Sequence, residues 1–313
     1  MKYLSLFSGI GGFELGIQQA YEIHNLGRTT STSGTENGRH LPMSDDSNGN
    51  GWWPNPTCIG FSEIDKYAIK TYQSHFPEHK NYGDITKIKT EELPDFDLLV
   101  GGFPCQSFSI AGKRRGFEDT RGTLFFEIAR ILRAKQPRLF LLENVKGLLS
   151  HQNGQTFATI IATLDELGYD CQWQVLNSKN HGVPQNRERV FIVGHLRGTS
   201  RPKVFPFTGS NPTNIEQIIG GSQGDRLYSP KGVSVTLASQ AGGLGAKTGL
   251  YEVEKMKIRR LTPTECERLQ GFPDGWTSGI SDTQRYKCLG NAVTVNVIKD
   301  IISKLLAHNP SKE

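Results

Sequence analysis

The chain has 313 residues, with 36 Lys and Arg against 31 Asp and Glu and a formal net charge of +5. That length suits one large domain plus a smaller one, and the mild basic excess fits a nucleic-acid partner without requiring one. Five cysteines (Cys58, Cys105, Cys171, Cys266 and Cys288), odd in number, widely spaced and with no CxxC or Cys–His cluster, indicate neither a disulfide framework nor a zinc site.

No apolar run approaches the ~20 residues that a bilayer span needs. Residues 1–7 are too short and too soon interrupted for a signal peptide. A reducing, soluble, cytoplasmic setting is expected, with no membrane and no metal.

Apolar runs at 3–7, 59–63, 98–101, 139–142, 172–176 and 190–194 predict strands. Helical patterns at 13–21, 67–76, 124–134 and 155–167 follow several of them. In the third, Leu124, Ile128, Ile131 and Leu132 share one face. This alternation predicts a doubly wound α/β sheet that binds ligands at the carboxyl ends of its strands. Residues 24–57 are polar, end in a Trp-Trp-Pro stretch and read as a mostly mobile insertion. Between His195 and Arg260 stand ten Lys/Arg against four Asp/Glu in a Gly-rich stretch without helical periodicity. The expected division is therefore 1–195 plus 283–313 as the first domain and 196–282 as a smaller, strand- and loop-rich one. A last helix at 294–306 carries Val295, Val297, Ile298, Ile301, Ile302 and Leu305, enough apolar surface to return to the first domain.

The first strand runs into Phe7-Ser8-Gly9-Ile10-Gly11-Gly12-Phe13, whose glycines allow a tight turn that aims helix N–H groups at an anionic ligand group. Glu63 could accept from a ribose diol and Asp84 from an adenine amine; each alone is equally a cap or turn residue. Together, at successive strand ends, they describe an adenosine pocket. S-adenosylmethionine suits it, with its carboxylate at the helix start. A dinucleotide reading lacks G-x-G-x-x-G, and it leaves the basic segment and Cys105 without a role.

The next stretch, Gly101-Gly102-Phe103-Pro104-Cys105-Gln106-Ser107-Phe108-Ser109, places a thiol at the tip of a Pro-preceded loop after a strand. That position suits a nucleophile, although a lone Cys is commonly a small buried hydrophobe. Downstream, Glu143-Asn144-Val145 puts a carboxylate at a strand end. Pro184-Gln185-Asn186-Arg187-Glu188-Arg189 puts two guanidiniums before a strand, where Arg187 and Glu188 could simply pair. Leu289-Gly290-Asn291-Ala292-Val293 precedes the last helix.

These five motifs, in this order, closely resemble the DNA (cytosine-5) methyltransferases of bacterial HhaI type, from Tyr3 to about Ile302 except over the insertion. The basic segment shares the resemblance through Gly224-Asp225-Arg226-Leu227-Tyr228, Thr236-Leu237 to Gly242-Gly243, and Ala246-Lys247-Thr248-Gly249. It implies a Rossmann-like methyltransferase sheet, a target-recognition domain, S-adenosylmethionine as cofactor and duplex DNA as partner. A monomer is expected, and whether a cognate restriction endonuclease acts separately beside it is left open.

By the same resemblance, Cys105 adds to cytosine C6, Glu143 serves N3 from a mostly buried site, and Arg189 holds O2. Arg187 would keep Cys105 ionised or bind phosphate. Phe7, Gly9, Gly11, Gly12, Glu63, Ile64, Asp84, Ile85, Pro104, Asn291 and Val293 would line the cofactor. Gln106, Ser109, Lys113 and Arg114, in a mobile catalytic loop, would contact DNA together with Gln223, Arg226, Gln240, Gly242 and Gly243. Gln223 would fill the hole left by a flipped base, and Arg226 would contact backbone or a guanine edge. The chain departs from the pattern at Gln240, where the family has an aromatic residue, and at Ala111, where it has a serine. The target sequence is therefore left open. A tRNA-methylating branch carries Cys-Phe-Thr near its second domain, and no such triplet occurs here. A catalytically silent DNA-binding relative is expected to lose the Cys, Glu or Arg that this chain keeps.

Overall fold

A computed structural model describes residues 1–31, 55–104, 124–199, 202–209, 211–220, 225–239, 247–254 and 257–307. Cys105, Gln106, Ser109, Lys113, Arg114, Gln223, Gln240, Gly242 and Gly243 lie outside them, as does most of the expected insertion.

The first unit is a six-stranded sheet in the order β2-β1-β3-β4-β7-β5. Its strands are β1 (Lys2–Leu6), β2 (Thr57–Ser62), β3 (Leu98–Gly102), β4 (Leu139–Val145), β5 (Tyr169–Asn177) and β7 (Glu188–Leu196), with a short β6 (Gln185–Asn186) just before the last. β1 pairs parallel with β2 and β3, and β3 with β4, whereas β7 runs antiparallel to both β4 and β5. The doubly wound sheet expected from the sequence is thus a mixed one.

Both faces of this sheet are covered, and the two-residue period of the strands sorts the side chains between them. Tyr3, Leu98, Val100, Leu139, Leu141, Phe191 and Val193 face one core. That core includes Phe13 and Ile17 of α1 (Gly12–Ser31) and Val297, Ile298, Ile301, Ile302 and Leu305 of the last helix, α7 (Val295–Ala307). The alternate residues Leu4, Leu6, Leu99, Phe140, Leu142, Val190 and Ile192 face another, under α3 (Leu124–Lys135) and α4 (Gln155–Glu166). Phe140 lies opposite Gly194 across β4 and β7, where a Cβ would fall 2.0 Å from the ring. Glycine there makes room for the aromatic.

Three elements differ from the sequence reading. α1 continues to Ser31, into residues assigned to the insertion. Its apolar stripe ends at Tyr21, and Ile23 and Leu26 are exposed, so periodicity carries no signal for the last turns. In addition, α5 (Pro263–Gln270) and α6 (Asp282–Asn291) occupy a stretch in which no helix was expected. α5 carries its own start signal: Thr262 caps it, Pro263 opens it, and Glu265 completes a capping box.

α2 (Lys66–His75) shares a third core with these helices. Ile10, Phe61, Tyr72 and Phe76 meet Cys266, Leu269, Phe272, Trp276 and Leu289 there, directly over the end of β1. The smaller sheet has the order β12-β11-β9-β8, from β8 (Gln217–Ile219), β9 (Leu227–Tyr228), β11 (Leu250–Glu254) and β12 (Lys257–Arg260). β10 (Ser234–Val235) pairs instead with β6 and joins this unit to the first. Among the described residues no helix is long and apolar enough to cross a membrane, and no cluster of metal-ligating side chains occurs.

Candidate active site

The turn after β1 is held in a backbone shape that its sequence permits. Phe7, Gly9 and Gly11 have φ of 53°, 57° and 90°, the left-handed region that glycine enters without strain. Gly12 opens α1 so close to Val293 that a Cβ would lie 2.8 Å from the valine Cγ1 and 3.0 Å from its carbonyl oxygen. Trp276 Nε1 donates to the Ile10 carbonyl at 2.8 Å, and the Trp276 ring stacks on His75 at 3.5 Å. Glu267, fully buried, accepts from the Gly275 and Thr277 N–H groups and so fixes the turn that carries this tryptophan. Neither Trp276 nor Glu267 was singled out by sequence; Trp276 acts on Ile10, far away in the chain, and Glu267 acts by holding the Trp276 turn.

Glu63, just past β2, accepts from Gly9 N at 3.0 Å, Ile64 N at 2.8 Å and Asp65 N at 2.9 Å. Its carboxylate thus ties the glycine turn to the end of β2, with a lone pair left for an incoming hydroxyl. Ile64 is 73% exposed among the described residues, an apolar side chain beside that carboxylate. Asp65 caps α2 and meets Lys287 Nζ at 2.5 Å, which draws α6 towards α2. Burial works to raise the Asp65 carboxyl, but hydrogen bonds from Lys287 and from the α2 amides outweigh it and hold the group below its ordinary range. Asp84 Oδ1 accepts from Thr86 N and Oγ1, while Oδ2 has no partner among the described residues. The Thr86 bonds lower the Asp84 pKa, so the group presents a charged acceptor. Ile85 beside it is buried, Val293 is buried, and Asn291 is exposed.

The second half of the site forms where β3, β4 and β7 end side by side. Gly102 pairs with Glu143 across β3 and β4, and Val145 with Arg189 across β4 and β7. On this shared face Arg189 Nε meets Glu143 Oε1 at 3.1 Å, with both side chains mostly buried (16% and 13% exposed). A Cβ on Gly102 would sit 3.1 Å from Glu143 Oε2, so glycine leaves room for the carboxylate. Asn144, on the opposite face, donates from Nδ2 to the Phe103 carbonyl at 2.7 Å and accepts from Val145 N at 2.8 Å. It thereby anchors Phe103-Pro104, which leads to Cys105; Pro104 itself is exposed.

Arg187 does not pair with Glu188, which instead meets Lys146 at 2.9 Å. Its guanidinium is buried, 2% exposed, and donates to the carbonyls of Leu237, Gly290 and Ala292. Burial above all, then Arg189, pushes its pKa down to about 9, while Glu143 opposes that shift. Arg187, Arg189 and Glu143 therefore share one electrostatic site, but Arg187 is closed to a phosphate. Arg226 is half-buried in the smaller unit, where its carbonyl accepts from Leu250 N at 3.4 Å.

A glycine turn tied to Glu63 where β1 and β2 end, and a Glu143–Arg189 pair where β3, β4 and β7 meet beside Phe103-Pro104, give a site of two compartments. The profile of the C-5 cytosine-specific DNA methylases matches residues 1–231 and 222–307. The chain belongs to this family. Similar relatives include the type II methyltransferase M.HhaI of Haemophilus parahaemolyticus, 36% identical over 96% of this chain and 93% of that protein. M1.ScrFI of Lactococcus lactis subsp. cremoris is 39% identical over 97% of this chain and 78% of its own length. Among solved structures, a Spodoptera frugiperda DNMT2 variant superposes with a TM-score of 0.70 at 19% identity, covering 97% of this chain and 99% of that one. That last likeness speaks for the methyltransferase fold alone. As a DNA methylase, the chain brings the two compartments together at the carboxyl ends of β1, β2, β3 and β4.

Proposed function

We propose that this sequence-specific DNA cytosine-5 methyltransferase works through a transient bond from Cys105 Sγ to C6 of a cytosine rotated out of the duplex. The observation that carries this reading is the Glu143–Arg189 pair, held on β4 and β7 beside the end of β3, where Phe103-Pro104 leads to the thiol. Cytosine is a weak electrophile at C6, and attack there builds negative charge on N3 and O2. Glu143 Oε2, with no partner among the described residues, is the group to hold a proton at N3. Among the described residues Arg189 engages two of its five N–H donors, with Glu143 and the Glu188 carbonyl, which leaves donors for O2. Addition of the thiolate leaves C5 electron-rich, and loss of the C5 proton later expels the thiolate. Extruding the base costs a few kcal/mol.

The first compartment fits S-adenosylmethionine: Gly9 and Gly11 shape the helix start for its carboxylate, Glu63 suits the ribose, and Ile64 with Asp84 suits the adenine. When bound, that molecule supplies an electrophilic methyl group. The remaining lining assigned by sequence is Phe7, Gly12, Ile85, Pro104, Asn291 and Val293. We draw the DNA-reading unit at about residues 197–261, because α5 and the Trp276 turn pack into the core beneath the glycine turn.

In the test, duplex DNA or tRNA is incubated with methyl-labelled cofactor and either wild-type protein or Cys105→Ala. Label should enter cytosine C5 of duplex only, and only with the wild type. Undiminished 5-methylcytosine from Cys105→Ala removes the thiol from the mechanism, and transfer to tRNA alone reassigns the substrate.

A further inference from the structure

Gln185, Arg187 and Arg189 alternate from β6 to the start of β7; the first two both reach Leu237, and the third reaches the site acid. Arg189 meets Glu143. Gln185 accepts from Leu237 N at 3.2 Å and donates to the Leu269 carbonyl at 2.9 Å. Arg187, between them, has no carboxylate partner among the described residues. Its Nη1 donates to Leu237 O at 3.2 Å, and its Nη2 to Gly290 O at 3.1 Å and Ala292 O at 2.9 Å. Leu237 stands three residues before Gln240, in the unit assigned to DNA. Gly290 and Ala292 flank Asn291, assigned to the cofactor. The two segments also touch directly, since a Cβ on Gly290 would lie 2.5 Å from both Ala238 C and Ser239 N.

A planar guanidinium that holds both segments fixes the distance between them. Buried and charged, it tolerates loss of any of its three acceptors poorly. A ligand that shifts one segment therefore changes the energy of the other, and such linkage acts equally in both directions. We propose that Arg187 is a positioning residue that couples cofactor binding at Asn291–Val293 to duplex binding by the smaller unit. The proposal rests on the reading given under Proposed function and adds to it the part that joins its two sites.

The test is calorimetric titration with S-adenosylhomocysteine, which binds without turnover, with and without a duplex carrying the site found by bisulfite sequencing of host DNA. In the wild type the duplex should tighten this binding by about 5- to 150-fold. In Arg187→Lys, whose single ammonium cannot span the three carbonyls, the ratio should fall to about 1, although each ligand still binds. Gly290→Ala, which keeps the guanidinium but forces the segments apart, should lose the ratio too and covers a failure of the first variant to fold. A wild-type ratio of 1, or a full ratio in either folded variant, overturns the proposal. A wild type that binds neither ligand would instead overturn the parent reading.

Discussion

Asn144 Nδ2 donates to the Phe103 carbonyl at 2.7 Å, and the residue before Asn144 is Glu143. One short stretch of β4 therefore sets both the acid and the backbone two residues ahead of the nucleophile. Asn144 is 2% exposed and its amide is engaged at both ends, so its rotamer is fixed. Replacing it by Asp keeps the acceptor for Val145 N but sets an oxygen against the Phe103 carbonyl. A misplacement of about 1 Å can cost on the order of 100-fold in rate. Asn144→Asp should lower the single-turnover rate by about that much and leave cofactor affinity within twofold. An unchanged rate would show that the Phe103 anchor does not position Cys105.

Glu143→Gln preserves shape but removes the group that holds a proton at N3. The expected loss in methyl transfer is roughly 10²–10⁴-fold, the range for a positioned acid. Duplex binding should persist, because Glu143 faces the pocket rather than the smaller unit. Filter binding beside a rate assay separates these outcomes; equal losses in both would assign Glu143 to binding alone.

Gly12 approaches Val293 too closely to accept a side chain. Gly12→Ala must push the start of α1 away from Val293, with Val293 Cγ1 the nearer obstacle. Cofactor affinity should fall at least tenfold, while duplex affinity measured without cofactor stays unchanged. Titration of each ligand alone checks this, and undisturbed cofactor binding would move the cofactor away from this helix start.

Stability should fall with pH because of Glu14, which lies fully buried in the first turn of α1. Burial pushes its pKa up from 4.5 to about 7, against a hydrogen bond from Tyr72 Oη at 3.0 Å that favours the carboxylate. Between these two values the folded protein keeps the proton while the unfolded chain releases it. The native state thus binds more protons, and unfolding free energy decreases as pH rises from about 5 to 7. At about 1.4 kcal/mol per unit the loss is roughly 3 kcal/mol. Glu14→Gln should remove this dependence, so its Tm should gain on the wild type as pH rises. Parallel Tm-against-pH curves would count against a protonated Glu14.

Much of the fold was legible because strand and helix periods are local. The alternation of Tyr3, Leu4 and Leu6, or of Leu139, Phe140 and Leu141, declares two buried faces before any contact is known. The motifs drew attention to Glu143 and Arg189, which the structure brings to 3.1 Å of each other. What escaped was set by partners distant in sequence: Trp276 on Ile10, Lys287 on Asp65, and the three carbonyls around Arg187. A guanidinium next to a glutamate in sequence invites a pairing, but Arg187 turns to the carbonyls of Leu237, Gly290 and Ala292 and Glu188 turns to Lys146. The α5 helix escaped for another reason. Its capping box was readable, but only eight residues follow, too few to display a periodic face.

The most direct measurement is covalent trapping. A duplex with 5-fluorocytosine at the methylated position is incubated with protein and S-adenosylmethionine, then run on denaturing electrophoresis. Fluorine blocks the last elimination, so wild-type protein should migrate as a stable complex with DNA, and Cys105→Ala should not. Methylation of ordinary duplex without any such complex would contradict attack by the thiol at C6.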